Sequence, residues 1–498
     1  MDSLATKDSG DLAALGYKQK LDRPLGSFSS FAASFSYLSI LTGTFQLFYV
    51  GYAAGGPAAW WTWPITFAGQ FLIALCFAEV AAHYPVAGGV YQWSKYVGSG
   101  GWGWMTGWVY LCCQIVTVSA VALAVQTTLP QIDPRFQFIG DPAAEQDQAR
   151  NAVVLGCVVI ALTTVLNLAG VKLLSLVNNV GVVAELSGSV LLVVLLLGCL
   201  QRGPDVVMDT QGKGTGVGYL GPFLAAALMS SYVMYGFENA GLLAEETRDP
   251  RKTAPRAILQ ALGAVAILGG TLLLLGLMAA ANLSDPALGK KDGGLPLIIK
   301  DALGGTVGKM LLCDVILAVT VCALTVQTGA VRLIFGMARD NNLPFSHTLA
   351  RISARSKTPL VPALLTGLLA ALPLAVNFNN RKIIDAIIPA SVVLANLAYL
   401  LVTTPLLLRR MRGWPGWGGS GAKGVFSLGR WGLAINAVAV VWGVFNIVNI
   451  GWPRPDDDTT WLEANAAWLF SGVLVLAGAG YYVFLQRRKT RILEEHRA

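Results

Sequence analysis

The sequence predicts an all-α polytopic membrane protein with twelve transmembrane helices, and three observations support this fold class. Of the 498 residues, 54% are hydrophobic and only 13% are charged, whereas a soluble domain carries about 25% charged residues. Twelve windows are long and apolar enough to cross about 30 Å of hydrocarbon as helices. The alternating apolar segments of about ten residues that a membrane β-barrel requires are absent from the sequence.

The twelve windows leave no room for a large soluble domain. We therefore divide the chain into a cytoplasmic tail over residues 1–26, a single transmembrane domain over 27–486 and a second cytoplasmic tail over 487–498. The predicted spans lie near residues 28–52, 58–82, 102–128, 151–170, 175–200, 220–244, 256–281, 306–338, 360–377, 384–408, 431–450 and 465–485.

The distribution of Lys and Arg predicts how the chain is oriented in the membrane. When the N-terminus is placed inside, the inner segments carry more than twice as many Lys and Arg residues as the outer loops, as the positive-inside rule requires. Both termini are then cytoplasmic, and the net charge of +8 is an orientation signal rather than a sign of a nucleic-acid partner. The first 26 residues contain no targeting segment, which favours a plasma membrane such as the bacterial inner membrane.

Five ionisable residues fall within or at the edges of the predicted spans, where charge is costly. They are Glu79, Glu185, Glu238, Asp314 and Arg332. Each of them either lines a functional cavity or is a structural polar group satisfied inside the helix bundle, and the sequence leaves both alternatives open. For Arg332 we favour a structural role, because its long side chain can extend to the cytoplasmic face.

Two spans contain residues that interrupt a helix near its middle. Residues 39–44 of the first span read Ser-Ile-Leu-Thr-Gly-Thr, and residues 235–241 of the sixth span contain two glycines, an acid and an amide. Glycine destabilises a helix interior by up to about 1 kcal/mol, so we expect both helices to unwind there and to line a cavity. Breaks at matching positions of two repeats indicate a substrate site at the membrane midplane. The alternative is close helix packing through small residues.

Such a pair of breaks suits a zwitterionic small molecule. The N-terminus of a half-helix offers free N–H groups to a carboxylate, and the C-terminus of another offers free carbonyls to an ammonium group. The side chains of Tyr232, Tyr235 and Phe237 would form an aromatic wall, which also attracts a cation. We expect no cofactor, no metal and no enzymatic activity, because the sequence contains no phosphate-binding loop and no metal-binding histidine motif.

Three segments resemble signatures of the amino acid–polyamine–organocation permease superfamily. Residues 79–93 resemble its E…P-x-x-G-G-x-Y-x-W signature, residues 236–258 are similar to its G-x-E…E-x-x-P…P-x-A run, and residues 332–344 are similar to its R…A-R-D-x-x-L-P element. Together they cover most of the chain in the family's order. Residues 41–45, followed by Gly-Gly-Pro at 55–57, resemble the amino acid/choline/GABA permease branch.

The resemblance implies a five-plus-five inverted repeat of the leucine-transporter type and alternating access to a central site. The two repeats would cover about 27–200 and 220–409, and two further helices would cover about 431–486. By position, residues 42–44 would offer N–H or hydroxyl groups to a carboxylate, and residues 232–235 would offer carbonyls to an amine. The candidate substrate-binding residues are Ser39, Thr42, Gly43, Thr44, Tyr232, Tyr235, Gly236, Phe237 and Glu238.

The resemblance also raises the question of the coupling ion. Proton-linked relatives often place a Lys in the fifth helix, where its ammonium group substitutes for a sodium ion, and the aligned residue here is Glu185. An acid cannot replace a cation, so Glu185 is a hypothetical proton carrier or cation site. Glu238 and Asp314 are the other candidates for coupling to a proton or another ion.

The function that this resemblance implies is secondary active transport of amino acids or related amines, coupled to protons or operating by exchange. A choline, GABA or polyamine permease of the same fold is the nearest alternative, and a channel without coupled transport is an alternative of a different class. We favour an amino acid substrate, because a dicationic polyamine would require more acids in the pocket than Glu238 alone.

Overall fold

The computed structural model describes residues 23–487 apart from 217, 355, 377, 415–424 and 455–459, together with residues 8, 10, 12, 13, 15–17 and 21. Within these residues the secondary structure is helical, and strand-like pairing is limited to one isolated bridge between Leu25 and Thr247. Ten of the described helices are long and apolar enough to cross a membrane, and two shorter apolar helices accompany them. The predicted fold class is confirmed. Most of the two predicted tails lies outside the described residues.

Each predicted window corresponds to a helix, and we number these twelve spans α1–α12. The boundaries differ from the predicted ones by up to six residues, and α6 is also broken internally. Two spans are divided into halves, named α1a and α1b and α6a and α6b. The bounds are Ser27–Leu38 (α1a), Ile40–Gly55 (α1b), Thr62–His83 (α2), Gly100–Ala122 (α3), Glu145–Ala169 (α4), Val171–Leu197 (α5), Leu220–Val233 (α6a), Asn239–Leu242 (α6b), Pro250–Ala279 (α7), Gly305–Arg339 (α8), Leu360–Val376 (α9), Arg381–Met411 (α10), Gly432–Gly451 (α11) and Ala466–Tyr481 (α12).

Short helices and single residues connect the spans. Val90–Val97 lies between α2 and α3, Val125–Ile132 extends α3, and Gly294–Leu303 precedes α8. Gly170 alone separates α4 from α5, at φ 118°, a backbone conformation that glycine adopts without the steric cost of a Cβ atom. The sharp turn places α4 and α5 side by side, and α8 packs against both of them.

The centre of the bundle is formed by α1, α3, α6, α8 and α10. α1b packs along α6a, α2 packs along α7, and α3 packs along α8 and α10. The side chain of Trp63 on α2 is 2% exposed, and a Cβ atom added at Gly269 of α7 would lie 2.4 Å from its ring. This contact shows how small residues let the spans approach closely. The division of the bundle into two inverted repeats stays a prediction.

Candidate functional site

The break in the first span is limited to one residue. α1a ends before Ser39, which adopts φ 34° and ψ 101°, and α1b begins directly after it. The Ser39 hydroxyl accepts the N–H of Thr42 at 3.3 Å, which is how a serine N-cap starts a helix. The predicted interruption over 39–44 is therefore wrong in its extent, because the cap lets the helix resume at once and residues 42–44 are helical.

A buried acid from α5 caps the start of α1b. Glu185 is 1% exposed, and its Oε1 accepts the Ser39 hydroxyl at 2.8 Å and the Leu41 N–H at 3.1 Å. The Gly43 N–H donates to the Ser39 carbonyl at 3.2 Å, and the Thr44 hydroxyl donates to a carbonyl of its own helix at 2.5 Å. The Thr42 N–H, the Gly43 N–H and the Thr44 hydroxyl, which the sequence assigns to a substrate carboxylate, thus donate within the protein, and their role as substrate ligands stays a prediction.

The sixth span is broken where the sequence predicts an interruption, but the break covers residues 234–238 rather than 235–241, because the helix resumes at Asn239. Gly236, at the middle of the break, has φ 100°. Its N–H donates to the Tyr399 hydroxyl at 2.7 Å, and an added Cβ atom would lie 1.8 Å from the ring of Tyr37. Both the positive φ and the close ring contact require glycine at this position.

The C-terminal end of α6a presents main-chain carbonyls toward the break. The last helical hydrogen bond of α6a is the one that the Met234 N–H donates to the Ser230 carbonyl at 3.2 Å. Among the described residues, no backbone N–H beyond this point donates to the carbonyls of residues 232–235. These groups carry the partial negative charge of a helix C-terminus, and their role as ligands of a substrate amine stays a prediction.

The two breaks lie directly against each other. A Cβ atom added at Gly43 of α1b would lie 2.4 Å from Val233 Cγ2 of α6a. On the other side of the break in α1, the ring of Tyr37 packs edge-on against Tyr235 with ring centroids 6.0 Å apart. The donor end of one broken helix therefore meets the acceptor end of the other.

The aromatic side chains around the breaks separate into two groups. Tyr232 packs edge-on against Tyr235 at 5.9 Å, and the Tyr235 hydroxyl lies 2.9 Å from the Thr117 hydroxyl. The ring of Phe237 packs instead against Phe77 at 6.0 Å. The structure therefore brings the two predicted tyrosines together and places Phe237 apart from them.

Glu238 is held by two tyrosines that the sequence analysis does not identify. Its Oε1 accepts the Tyr110 hydroxyl of α3, and its Oε2 accepts the Tyr399 hydroxyl of α10 at 2.5 Å. The side chain is fully buried. Both oxygens are thus occupied by neutral donors, and Glu238 ties α6 to α3 and α10. Its predicted roles in substrate binding and coupling stay predictions.

Asp314 lies at neither break. It is on α8, where an added Cβ atom at Gly188 of α5 would lie 1.8 Å from its Oδ2. This oxygen is buried and has no hydrogen-bond partner among the described residues. Of the three coupling candidates, the structure places only Glu185 and Glu238 at the broken helices.

Two arginines of α8 form buried ion pairs on the side that the charge distribution assigns to the cytoplasm. Arg332 Nε lies 2.8 Å from Glu246 Oε1, and Arg339 Nη2 lies 2.8 Å from Glu245 Oε1. A narrow cavity of about 40 Å³ extends from Arg332 to Asn239, room for about three water molecules. The expectation that Arg332 extends to the cytoplasmic face is wrong, because a buried carboxylate satisfies its charge within the bundle.

Glu79 is also paired. Its carboxylate accepts the guanidinium of Arg410 at the end of α10, and its Oε1 accepts the Ser427 hydroxyl and the Leu428 N–H, each at 3.0 Å. Both charged side chains are buried. Glu79 thus has a structural role, as it ties α2 to α10 and to the segment before α11.

The residues of the family-like signatures meet beside these pairs. Asp340 Oδ2 accepts the Lys95 ammonium group at 2.6 Å and the Tyr91 hydroxyl at 2.7 Å. Burial acts to raise the pKa of Asp340, but the positive charge of Lys95 and these hydrogen bonds hold the pKa below its ordinary value. The Tyr17 hydroxyl also donates to Asp340, at 3.0 Å, and burial raises the pKa of Tyr17. A segment of the predicted tail is therefore fixed to the end of α8.

Comparisons with known proteins agree with this architecture. The profile described as "Amino acid permease" matches residues 25–476. The chain is 28% identical to "Amino-acid permease BAT1" of Arabidopsis thaliana over 462 residues, which are 88% of this chain and 87% of the relative. It is 27% identical to "Amino-acid permease 2" of Neurospora crassa, over 91% of this chain and 83% of the relative. It is 24% identical to the "GABA-specific permease" of Saccharomyces cerevisiae, over 97% of this chain and 85% of the relative.

The twelve spans, the paired breaks in α1 and α6 and the nearly full-length family match lead to one assignment. The chain belongs to the amino acid permease family and is an integral membrane transporter for a small-molecule substrate.

Proposed function

We propose that this permease binds a zwitterionic amino acid between the breaks of α1 and α6 and carries it across the membrane together with a proton. The observation that carries the proposal is the meeting of the two breaks, where Gly43 and Val233 are in direct contact. A substrate bound there would lie between the N-terminus of α1b and the C-terminus of α6a.

The two helix ends offer complementary partial charges. The start of α1b carries N–H donors and the Ser39 hydroxyl, which suit a carboxylate. The end of α6a carries the carbonyls of residues 232–235, which suit an ammonium group. Tyr232 and Tyr235 lie beside those carbonyls and add aromatic faces that attract the same cation. An α-amino acid presents both charged groups within a few ångströms of each other.

In alternating access, the substrate site opens to one side of the membrane at a time. The bundle is closed by the pairs that Arg332 and Arg339 form with Glu246 and Glu245, and the cavity behind Arg332 is too small for an amino acid. Release on that side therefore requires these pairs to separate. We assign that side to the cytoplasm of a plasma membrane, such as the bacterial inner membrane, because Lys and Arg are concentrated there.

Glu185 is the residue that we propose for coupling to protons. Its carboxylate is buried at the break of α1, and its donors there are the Ser39 hydroxyl and the Leu41 N–H rather than a cationic side chain. A buried acid without a cation is stabilised by binding a proton. The proton and the substrate would then occupy the same break.

Uptake into proteoliposomes tests the proposal. Purified protein is reconstituted, and accumulation of radiolabelled amino acids is measured with an inward proton gradient, without a gradient and with a protonophore. We expect concentrative uptake with the gradient and exchange alone without it. Failure of every amino acid to accumulate or exchange would refute the substrate class, whereas exchange without any effect of the gradient would refute proton coupling.

GABA is the second candidate substrate, because one of the relatives is named as a GABA-specific permease. GABA also carries a carboxylate and an ammonium group, although they are further apart than in an α-amino acid. Competition by unlabelled GABA, choline and a polyamine in the same assay separates these alternatives. We expect choline to fail, because it has no carboxylate for the donors of α1b. A channel would show flux without counterflow.

A further inference from the structure

Glu185 occupies the group of donors at the start of α1b. Its Oε1 is 2.8 Å from the Ser39 hydroxyl and 3.1 Å from the Leu41 nitrogen. Two carboxylates cannot share these donors, because their like charges would lie within a few ångströms in a water-poor site. Occupation by Glu185 and occupation by a substrate carboxylate are therefore mutually exclusive while Glu185 is ionised.

We propose that the carboxylate of Glu185 is an internal competitor of the substrate carboxylate, so that a proton must neutralise Glu185 before an amino acid can bind. The inference rests on the proposed function and adds to it how one proton is tied to one substrate. The ligand of the α1b donors would be a carboxylate in both states: that of Glu185 in one and that of the amino acid in the other.

The charged surroundings of Glu185 are consistent with this exchange. α5 packs against α1, α4, α7, α8 and the helix Gly294–Leu303. From α8, Asp314 and the Cys322 thiol act on Glu185 electrostatically. The largest influences on Glu185 are its burial, its hydrogen bonds to residues 39–41 and the charge of Asp314. None of the other ionisable groups of the packed helices, apart from thiols and phenols, is among these influences: Glu145, Asp147, Arg150, Arg251, Lys252, Arg256, Lys300, Asp301, Lys309, Arg332 and Arg339. No cationic side chain is therefore among the main influences on Glu185, and a proton can supply the missing positive charge.

The competition explains how the substrate-free protein changes from one orientation of the site to the other. When Glu185 is ionised, the donors of Ser39 and Leu41 satisfy it, so the α1b start is capped and the negative charge is stabilised without substrate. When Glu185 is protonated, its attraction for these donors falls, and the substrate carboxylate replaces it. The carrier thus crosses either with both a proton and a substrate or with neither, which is the condition for symport.

Substrate binding measured against pH tests the inference. The full-length protein in nanodiscs is titrated with a radiolabelled amino acid between pH 5 and pH 9. Above the transition, we expect the apparent affinity of the wild-type protein to fall about tenfold for each pH unit, because one proton is bound with each substrate. In weakly buffered solution, the wild-type protein should take up about one proton for each substrate bound.

Two variants of Glu185 separate the competing charge from the space that the side chain fills. Glu185→Gln cannot ionise, so its affinity should be independent of pH and close to that of the wild-type protein at low pH. Glu185→Asp keeps the charge and should keep the pH dependence, even if its shorter side chain shifts the midpoint. Asp314→Asn tests whether the other acid near α5 is responsible.

The outcomes distinguish this inference from the proposed function. If Glu185→Gln retains the pH dependence, or if Asp314→Asn removes it instead, the competition is refuted. If the wild-type protein binds amino acids without taking up protons at any pH, the competition is also refuted, whether or not the variants fold, and the amino acid site survives. If the wild-type protein binds no amino acid at all, the proposed function fails and the inference fails with it.

Discussion

Neutralising Glu246 is expected to open the transporter on the side that α8 closes. Glu246 forms two contacts with Arg332, at 2.8 Å and 3.3 Å, and the two side chains are 2% and 3% exposed. Glu246→Gln keeps the size of the side chain but leaves the guanidinium without a counter-charge. Arg332 Nη1 already lacks a hydrogen-bond partner among the described residues, so the structure offers no replacement for the lost carboxylate.

The size of the effect follows from burial. Removal of one partner of a buried ion pair costs about 3–5 kcal/mol. We expect this cost to fall on the conformation in which Arg332 is buried beside the narrow cavity, because opening of the cavity would expose the guanidinium to water. A shift of about 3 kcal/mol changes the ratio of open to closed protein by roughly 150-fold. An exposed pair contributes at most about 1 kcal/mol, so its loss should change the ratio little.

A single cysteine in the cavity reports the opening. The seven native cysteines are replaced. Ala33→Cys then places a single thiol on α1a, at a buried position that lines the cavity. In detergent-solubilised protein, where a water-soluble maleimide reaches both faces, we expect this thiol to be labelled much faster in Glu246→Gln than in the parent. Asp249→Asn is the matched control, since its pair with Lys252 is partly exposed and 3.7 Å long. Equal labelling rates in all three proteins would refute the reasoning.

Two further perturbations test packing and the site. Glu79→Gln leaves the Arg410 guanidinium buried without its counter-charge, so the free energy of unfolding should fall by about 3–5 kcal/mol; an unchanged denaturation midpoint in detergent would contradict the structural role. Gly43→Leu should abolish substrate binding, because even its Cβ atom would lie 2.4 Å from Val233, and normal affinity would exclude this contact as part of the site. Gly263→Leu, where an added Cβ atom contacts nothing within 4 Å, should bind substrate normally in the same assay.

The sequence by itself determined the membrane class, the twelve spans and the broken helices. Span positions depend on the length of apolar runs, and a helix must satisfy its own backbone groups in lipid, so local composition is sufficient. The break of α6 was equally visible, because Gly236 and its polar neighbours are unfavourable inside a continuous helix. In α1 the sequence indicated six interrupted residues, and the Ser39 cap reduced the break to one.

Only the tertiary structure decided what each buried charge does. Glu185 and Ser39 are 146 residues apart, and Arg332 and Glu246 are 86 residues apart, so no local pattern indicates that they touch. The tyrosines that hold Glu238 likewise come from α3 and α10 and resemble ordinary apolar-span residues in the sequence. The cost of a buried charge is a local property that composition reveals, whereas the group that offsets this cost depends on which helices the fold brings together.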